Sequence, residues 1–259
     1  MTSFAQWWMH YRMGYLPNQM GIIRRYLNHK EEWENHLQRS KQLIIAEVNK
    51  RKPKSIAFLG SGWLLDIPLA NILEQGITVT LIDIAHPKRI IHKYRNCKNV
   101  SLVHADITGG AISWAWSLAK QRGSRFELGH LLSSSEMAIH ELTRDYDFAV
   151  SVNTLSQLHV HIEEFLSRRD KISENERIQL AHALQQGHIN GLPFNKSLII
   201  SDIEAEFYSE DGELSHTSPR VYTDIAMLTQ VNQWKWYFDN NHSFNPEYKV
   251  VHSVAAYLK

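Results

Sequence analysis

The chain has 259 residues, and its 28 Lys and Arg against 27 Asp and Glu give a formal net charge of +1. This balance disfavours the basic surface of a typical nucleic-acid-binding protein, although a local patch still permits RNA binding. The single cysteine, Cys97, excludes an intrachain disulfide framework and a cysteine-rich zinc module. Without a secretory signal or an apolar stretch of about 20 residues, a soluble cytoplasmic protein with no membrane partner is expected.

The beginning of the chain is predicted to be helical. Trp33, Leu37, Ile44 and Val48 fall on one side of a helix at 100° per residue. This spacing predicts an amphipathic helix over Glu31–Asn49.

Upstream, Phe4–Leu27 is rich in aromatic residues and methionine. It predicts one or two shorter helices, broken near Gly14 and Pro17, because glycine and proline interrupt helices. We therefore expect an N-terminal helical extension or cap over residues 1–52, followed by one domain over residues 53–259.

From Ser55 onward, short apolar runs alternate with segments that are typical of helices. The runs predict five buried strands, at Ser55–Leu59, Thr78–Ile82, Val100–His104, Tyr146–Val152 and Ser197–Ile203. The helices are expected at about Pro68–Gln75, Pro87–Tyr94, Ala111–Gln121 and Ile162–Gln186. This alternation predicts parallel βαβ units and an α/β fold.

The C-terminal segment breaks the alternation. Trp234–Phe238 and Lys249–Leu258 are two strand-like runs, and the polar loop Asp239–Glu247 joins them without a helix. The simplest interpretation is a hairpin, which makes the last strand antiparallel to its neighbour.

Glycines and polar residues follow successive predicted strands. Gly60-Ser61-Gly62 comes directly after the first strand, where a side chain would keep a nucleotide away from the backbone N–H groups. Asp83 follows the second strand, where a carboxylate can accept hydrogen bonds from ribose hydroxyls. Asp106 and Asn153 follow the third and fourth strands. Taken singly, each could be a tight turn, a strand-end polar residue or a helix cap.

As a set, these segments resemble the class I S-adenosylmethionine-dependent methyltransferase superfamily. The matching segments are FLGSGW (Phe58–Trp63), LIDIAHP (Leu81–Pro87), VHADI (Val103–Ile107) and YDFAVSVNTLSQLH (Tyr146–His159). The resemblance covers about Ser55–Lys259. It implies a Rossmann-like methyltransferase fold, with a mostly parallel seven-stranded sheet and an antiparallel C-terminal hairpin strand.

The resemblance also implies S-adenosylmethionine as the cofactor. The residues expected to bind it are Gly60, Ser61, Gly62, Asp66, Asp83, Ile84, Asp106, Ile107 and Asn153. Two positions depart from the family pattern: Phe58 stands where an acidic residue is usual, and Leu64 stands where a third glycine is common. Asp66 could hold the donor's amino group in place of the missing acid, or it could simply cap the next helix.

Two histidines are candidate catalytic residues. His159 and His161 follow the fourth strand, and histidine is suited to proton transfer near neutral pH. With Glu163 and Glu164 they could also form a metal site, but the spacing is loose and no metal is predicted. Both could instead be solvated or capping residues.

Charge is unevenly distributed along the chain. Residues 1–55 contain ten Lys or Arg and four Glu, whereas residues 200–225 contain seven acidic residues and only Arg220. The basic segment could bind RNA or an anionic substrate, and the acidic one could select a cationic acceptor. Alternatively, the two segments face each other or are solvated.

The function that these observations favour is methyl transfer to an unidentified small-molecule acceptor. A nicotinamide-dependent oxidoreductase is the alternative from another enzyme class. It is disfavoured by Leu65 at the third glycine position of G-x-G-x-x-G and by the terminal hairpin. A protein that binds S-adenosylmethionine without methylating also stays open, including one that transfers its aminocarboxypropyl group.

Overall fold

The computed structural model describes residues 4–121 and 130–259, so the first three residues of the predicted extension 1–52 lie outside the described residues. Its helices are α1 Phe4–Arg12, α2 Tyr15–Asn28, α3 Lys30–Arg51, α4 Leu69–Glu74, α5 Lys88–Tyr94, α6 Ala111–Leu118, α7 Leu131–Thr143, α8 Val160–Ser167 and α9 Glu174–Gly191. Its strands are β1 Ser55–Leu59, β2 Thr78–Asp83, β3 Val100–His104, β4 Phe148–Val152, β5 Ser197–Tyr208, β6 Leu214–Pro219, β7 Thr229–Asp239 and β8 Lys249–Leu258.

The central sheet has the strand order β3-β2-β1-β4-β5-β8-β7. The strands β1 to β5 pair in parallel. The strand β8 is antiparallel to β5, and β7 is antiparallel to β8. The predicted Rossmann-like α/β fold, with its mostly parallel seven-stranded path and antiparallel C-terminal hairpin, is confirmed.

The strand β5 is longer than the sequence predicted and pairs with an eighth strand. It continues past Ile203 to Tyr208, and β6 pairs antiparallel with the segment Glu204–Tyr208. The strand β8 lies along the whole of β5, so β6 occupies the same side as β4, further along. This hairpin places the end of β6 beside the carboxyl end of the parallel sheet.

Two acidic residues of this hairpin form ion pairs with lysines of β7 and β8. Glu206 forms an ion pair with Lys235, and Glu210 lies 3.5 Å from Lys249. Among the ion pairs of the described residues, none joins residues 1–55 to residues 200–225. The two oppositely charged segments therefore do not neutralise each other directly.

Apolar side chains cover both faces of the sheet. On one face, Trp33, Ile44 and Val48 of α3 pack with Phe58, and all four are at most 1% exposed. On the other face, α6, α7 and α9 bury a second cluster that contains Ile139. Burial of one such side chain contributes about 1.5–3 kcal/mol, so these faces fix the helices on the sheet.

The break predicted near Gly14 is present, but the one near Pro17 is wrong. Gly14 has φ +97°, a left-handed conformation that glycine adopts without strain, and it separates α1 from α2. Pro17 lies in the first turn of α2, where a missing N–H costs no helical hydrogen bond.

The single helix predicted at Ile162–Gln186 is two helices. The chain leaves α8 after Ser167 and re-enters a helix at Glu174. Ser173 caps α9, because its hydroxyl accepts from the N–H of Glu176 while the Glu176 carboxylate accepts from the Ser173 N–H. The helix α7 was not predicted at all.

Within residues 4–121 and 130–259, every helix is too short or too polar to span a bilayer.

Candidate functional site

A cavity of about 410 Å³ lies at the carboxyl ends of the parallel strands. Its walls come from the segments that follow β1, β2, β3 and β4, and the helix α2 covers it with Tyr15, Gln19 and Arg25. Ligands of open α/β sheets usually bind at the carboxyl ends of the strands, in the crevice where the strand order reverses. In this sheet the reversal lies between β1 and β4.

All nine residues that the sequence predicted for cofactor binding line this cavity. They are Gly60, Ser61, Gly62, Asp66, Asp83, Ile84, Asp106, Ile107 and Asn153. The structure therefore brings together residues spread over almost a hundred positions of the sequence.

Gly60 is required by the closeness of a neighbouring side chain. Its φ is +76°, and a Cβ atom there would lie 1.7 Å from Oγ1 of Thr154. Leu64, where the family has a third glycine, has φ +60°. The loop thus keeps its left-handed turn although a leucine replaces the glycine, at a cost of about 1–2 kcal/mol.

Asp83 lies at the end of β2 and joins three segments. Its Oδ2 accepts from the N–H of Gly62 at 2.8 Å, which fixes the glycine loop against the second strand. Its Oδ1 accepts from Ala85 N–H and from Nε2 of Gln19, both at 3.2 Å. Burial raises the pKa of Asp83, and the hydrogen bond from Gly62 opposes that shift.

Gln19 ties the helix α2 to the glycine loop as well as to Asp83. Its backbone oxygen accepts from Nε1 of Trp63 at 2.8 Å, and its side-chain amide donates to the carbonyl oxygen of Ala85. No sequence pattern points to Gln19, because it lies 64 residues from Asp83.

Asp106 follows β3 and also lines the cavity. Its Oδ1 accepts from the N–H of Thr108 at 2.9 Å and from the Thr108 hydroxyl at 2.5 Å. Burial raises the pKa of Asp106, and the bonds from Thr108 oppose the rise. The backbone N–H of Gly110 also donates to the Asp106 carboxylate.

Asp66, Asn153 and His36 form a buried polar cluster. Asn153 Nδ2 donates to Oδ2 of Asp66 at 2.9 Å and lies 3.2 Å from Nε2 of His36. Burial lowers the pKa of His36 to about 3, so its ring is neutral. Its Nδ1 accepts from Nε1 of Trp234 at 3.1 Å.

Two acceptor atoms of this cluster have no donor. Oδ1 of Asp66 and Oδ1 of Asn153 are buried without a hydrogen-bond partner. Burial raises the pKa of Asp66 to about 6, while the bond from Asn153 lowers it. Unpaired buried acceptors are costly, so this corner is suited to a cationic donor group from a ligand.

The two candidate histidines occupy different places. His161 lines the cavity and makes an edge contact with Tyr15 at 4.7 Å between ring centroids. His159 is only 5% exposed and contacts Tyr222 instead, at 5.5 Å. Burial lowers the pKa of both histidines to about 4, so both are neutral at pH 7.

The cavity also includes two polar residues that the sequence analysis counted in the charged segment 200–225 but did not assign to the site. Asp202, in the middle of β5, accepts from the Ser156 hydroxyl at 2.5 Å and lies 3.9 Å from His252. Arg220, just after β6, lines the cavity beside them. Asp202 could have been found by the rule that identified Asp83, since it ends the parallel-paired part of its strand.

Aromatic side chains form the far wall of the cavity. They are Trp33 of α3, Trp236 and Phe238 of β7, and Phe244 of the loop after β7. No group of three or more potential metal-ligating side chains is found within the described part of the chain.

Comparison with known proteins supports no closer assignment. No family model matches the chain, and no curated protein matches it. It is similar to the solved structure of Burkholderia thailandensis 1,6-didemethyltoxoflavin-N1-methyltransferase with 1,6-didemethyltoxoflavin and S-adenosylhomocysteine. The identity is 12%, the match covers 93% of this chain and 87% of that one, and the TM-score is 0.40.

Two further solved structures are similar at the same level. One is the N-methyltransferase NodS from Bradyrhizobium japonicum WM9 with S-adenosylhomocysteine, at 10% identity, 85% coverage of each chain and a TM-score of 0.38. The other is coclaurine N-methyltransferase bound to N-methylheliamine and S-adenosylhomocysteine, at 11% identity, 85% and 70% coverage and a TM-score of 0.37. At these values, the ligand and the reaction must be argued from the cavity itself.

Proposed function

We propose that this chain is an S-adenosylmethionine-dependent methyltransferase acting on a small-molecule acceptor, with residues 1–52 forming a cap over the domain 53–259. The observation that carries the proposal is that one cavity collects the glycine loop and the polar residues at successive strand ends.

The residues present fit the parts of S-adenosylmethionine. Gly60 and Gly62 line the cavity and have no side chains, so their backbone is accessible to a ligand. Asp83 would accept from the ribose hydroxyls, and Asp106 from the adenine amino group. The unpartnered oxygens of Asp66 and Asn153 would accept from the ammonium group.

The departure at Phe58 agrees with this assignment. Phe58 is fully buried in the core, so it contacts no ligand. Asp66 lies close to the same loop and supplies a carboxylate from the other end of it. Asp66 would thus take the place of the acid that the family pattern has at the position of Phe58.

When bound, S-adenosylmethionine supplies an electrophilic methyl group on its sulfonium sulfur. The protein's part is to hold the acceptor in line with that group and to exclude water, which accounts for most of the rate gain in such a displacement. The helix α2 covers the cavity and can exclude water. His161, which lines the cavity and is neutral at pH 7, would accept a proton where the acceptor must lose one, whereas His159 lies outside the cavity lining.

Calorimetric titration with S-adenosylmethionine, S-adenosylhomocysteine and NADH tests the proposal. We expect both sulfur compounds to bind and NADH not to bind, and Asp83→Ala to weaken their binding about 10- to 100-fold. Asp145→Ala is the matched control, because the Asp145 side chain is 84% exposed. NADH binding without binding of the sulfur compounds would overturn the proposal.

Product analysis distinguishes methyl transfer from aminocarboxypropyl transfer and from binding without catalysis. Incubation with S-adenosylmethionine and an acceptor panel should release S-adenosylhomocysteine. Release of 5′-methylthioadenosine would instead indicate aminocarboxypropyl transfer. Binding with no turnover of the donor across the panel would indicate a non-catalytic binding protein.

A further inference from the structure

The aromatic wall of the cavity is a packed set of four rings, here called the aromatic chamber: Trp33, Trp236, Phe238 and Phe244. The Trp33 ring stacks on Phe238 at 5.4 Å and meets Trp236 edge-on at 4.8 Å. Phe244 meets Phe238 edge-on at 5.1 Å. Most of these rings meet edge to face, so they form an apolar wall of ring edges and faces in the cavity that the glycine loop also lines.

A cation lies over this chamber. The guanidinium carbon of Arg25, on α2, lies 5.5 Å from the ring centre of Phe238 and 5.4 Å from that of Phe244. Arg25 lines the cavity, and its Nε is buried without a hydrogen-bond partner. A guanidinium is always charged in proteins and presents a planar fork that matches a carboxylate.

The carboxylate whose charge acts on Arg25 is that of Asp239, and it already accepts hydrogen bonds from other groups. Asp239 acts on Arg25 only at a distance, and its own oxygens accept from the N–H groups of Ser243, Phe244 and Asn245 at 2.7–3.0 Å. Among the described residues, no carboxylate pairs with the Arg25 guanidinium. The positive charge over the chamber is therefore left for a ligand.

The same hydrogen bonds fix the chamber. Asp239 is fully buried, and by holding the backbone of residues 243–245 it sets the position of the Phe244 ring. Trp33 Nε1 donates to the carbonyl oxygen of Phe238 at 3.0 Å, which joins α3 to β7. The chamber is thus built before a ligand arrives, as expected of a binding site.

Of the donor's groups, only the carboxylate is able to pair with this charge, and Arg25 contacts a different part of the cavity from the residues that fit the rest of the donor. The groups that fit its ribose, adenine and ammonium are Asp83, Asp106, Asp66 and Asn153, at the ends of the parallel strands and the glycine loop. Arg25 instead contacts β7 and the loop after it, on the antiparallel side of the sheet.

Building on the function proposed above, we propose that the acceptor is a small molecule with a flat unsaturated body and a carboxylate, the body packing in the aromatic chamber and the carboxylate pairing with Arg25. Aromatic side chains contact a planar unsaturated body favourably edge to face as well as by offset stacking. The bidentate ion pair, shielded by the rings, selects the negative charge.

The experiment compares matched charged and neutral probes. Calorimetry measures the binding of 2-naphthoate and benzoate, and of the corresponding amides 2-naphthamide and benzamide, with and without saturating S-adenosylhomocysteine. The proteins are the wild type, Arg25→Gln, Arg25→Lys and the control Arg24→Gln. Arg24 is the exposed neighbour on α2, so its loss removes the same charge without touching the chamber.

We expect the wild type and Arg24→Gln to bind each carboxylate about tenfold or more tightly than its amide. Arg25→Gln should lose this preference, and Arg25→Lys should keep part of it. A wild type that binds no carboxylate, or a preference that survives in Arg25→Gln, would overturn the inference.

Binding of S-adenosylhomocysteine alone separates the two proposals and reports on folding. If all four proteins bind it equally, the effect of Arg25 belongs to the acceptor, as proposed. If Arg25→Gln weakens S-adenosylhomocysteine instead, Arg25 serves the donor carboxylate and the inference is wrong. If the wild type itself binds no donor compound, the proposed function fails, whatever the carboxylate preference.

Discussion

The two halves of the cavity are built in different ways. The half proposed to bind the donor, here called the donor half, consists of turns that follow β1 to β4, so each residue is placed by its own strand. The half proposed to bind the acceptor, here called the acceptor half, joins helices near the start of the chain to strands near its end, as in the contact between Trp33 and Phe238, which are 205 residues apart. A pattern of local strand ends can therefore reveal the first half, whereas only the assembled fold reveals the second.

The substitution with the largest expected effect is Gly60→Ala, in the glycine loop of the donor half. Gly60→Ala places a Cβ 1.7 Å from Thr154 Oγ1 in a left-handed conformation, so we expect a loss of about 3 kcal/mol in unfolding free energy and no donor binding. Gly76→Ala is the control, because Gly76 has the same φ of +76° with nothing within 4 Å. It should lose only about 1 kcal/mol. Equal losses in urea unfolding would show that the loop has room for a side chain.

The next effect tests whether Asp83 acts on the donor or only on the loop. Asp83→Asn keeps the shape and can still accept a hydrogen bond, so its donor affinity should lie between those of the wild type and Asp83→Ala. We expect the alanine variant to lose about 1.5–3 kcal/mol of binding free energy by calorimetry. Indistinguishable affinities for all three would remove Asp83 from the binding site.

The pH dependence of donor binding tests Asp66. Its pKa of about 6 lies above the ordinary value because burial disfavours the charge, so the carboxylate is charged above pH 6 and protonated below it. Donor affinity should therefore be about tenfold weaker at pH 5 than at pH 7. His36, with a pKa of about 3, does not titrate in this range.

Asp66→Asn supplies the control for that profile, since it cannot titrate. Its donor affinity should be weaker at pH 7 and flatter between pH 5 and pH 7 than that of the wild type. An unchanged slope would assign the pH dependence to other groups.

The substitution with the smallest expected effect is Phe244→Ala, which tests whether the acceptor half binds its ligand independently of the donor half. Phe244 is 46% exposed, so Phe244→Ala should lower the unfolding free energy by only about 0.5–1.5 kcal/mol through loss of its contact with Phe238. It should leave S-adenosylhomocysteine binding unchanged while weakening 2-naphthoate. A variant that loses both ligands equally would show that the halves are not separate.

The sequence predicted what local patterns encode. Strand bounds such as Ser55–Leu59 were correct because a run of apolar residues that ends at glycine leaves few alternatives. The nine cofactor residues share the cavity because parallel strands end at one edge. Whether they bind the donor stays a prediction.

Some of the features that were not predicted depend on contacts that a linear pattern does not show, and others follow patterns that were overlooked. The strand β6 is exposed along most of its length and has no apolar run, so only its pairing with β5 defines it. Asp202 was overlooked because its strand continues beyond it. The break before α9 could have been found, since Ser173 and Glu176 have the spacing of a capping box.

The helix α2 contacts both halves of the cavity. It carries Gln19, which contacts the donor residue Asp83, and Arg25, which lies over the aromatic chamber. None of its side chains is fully buried, and a left-handed glycine precedes it. A single outward movement of α2 would uncover both subsites at once, so the departure of either product would wait on the same opening step.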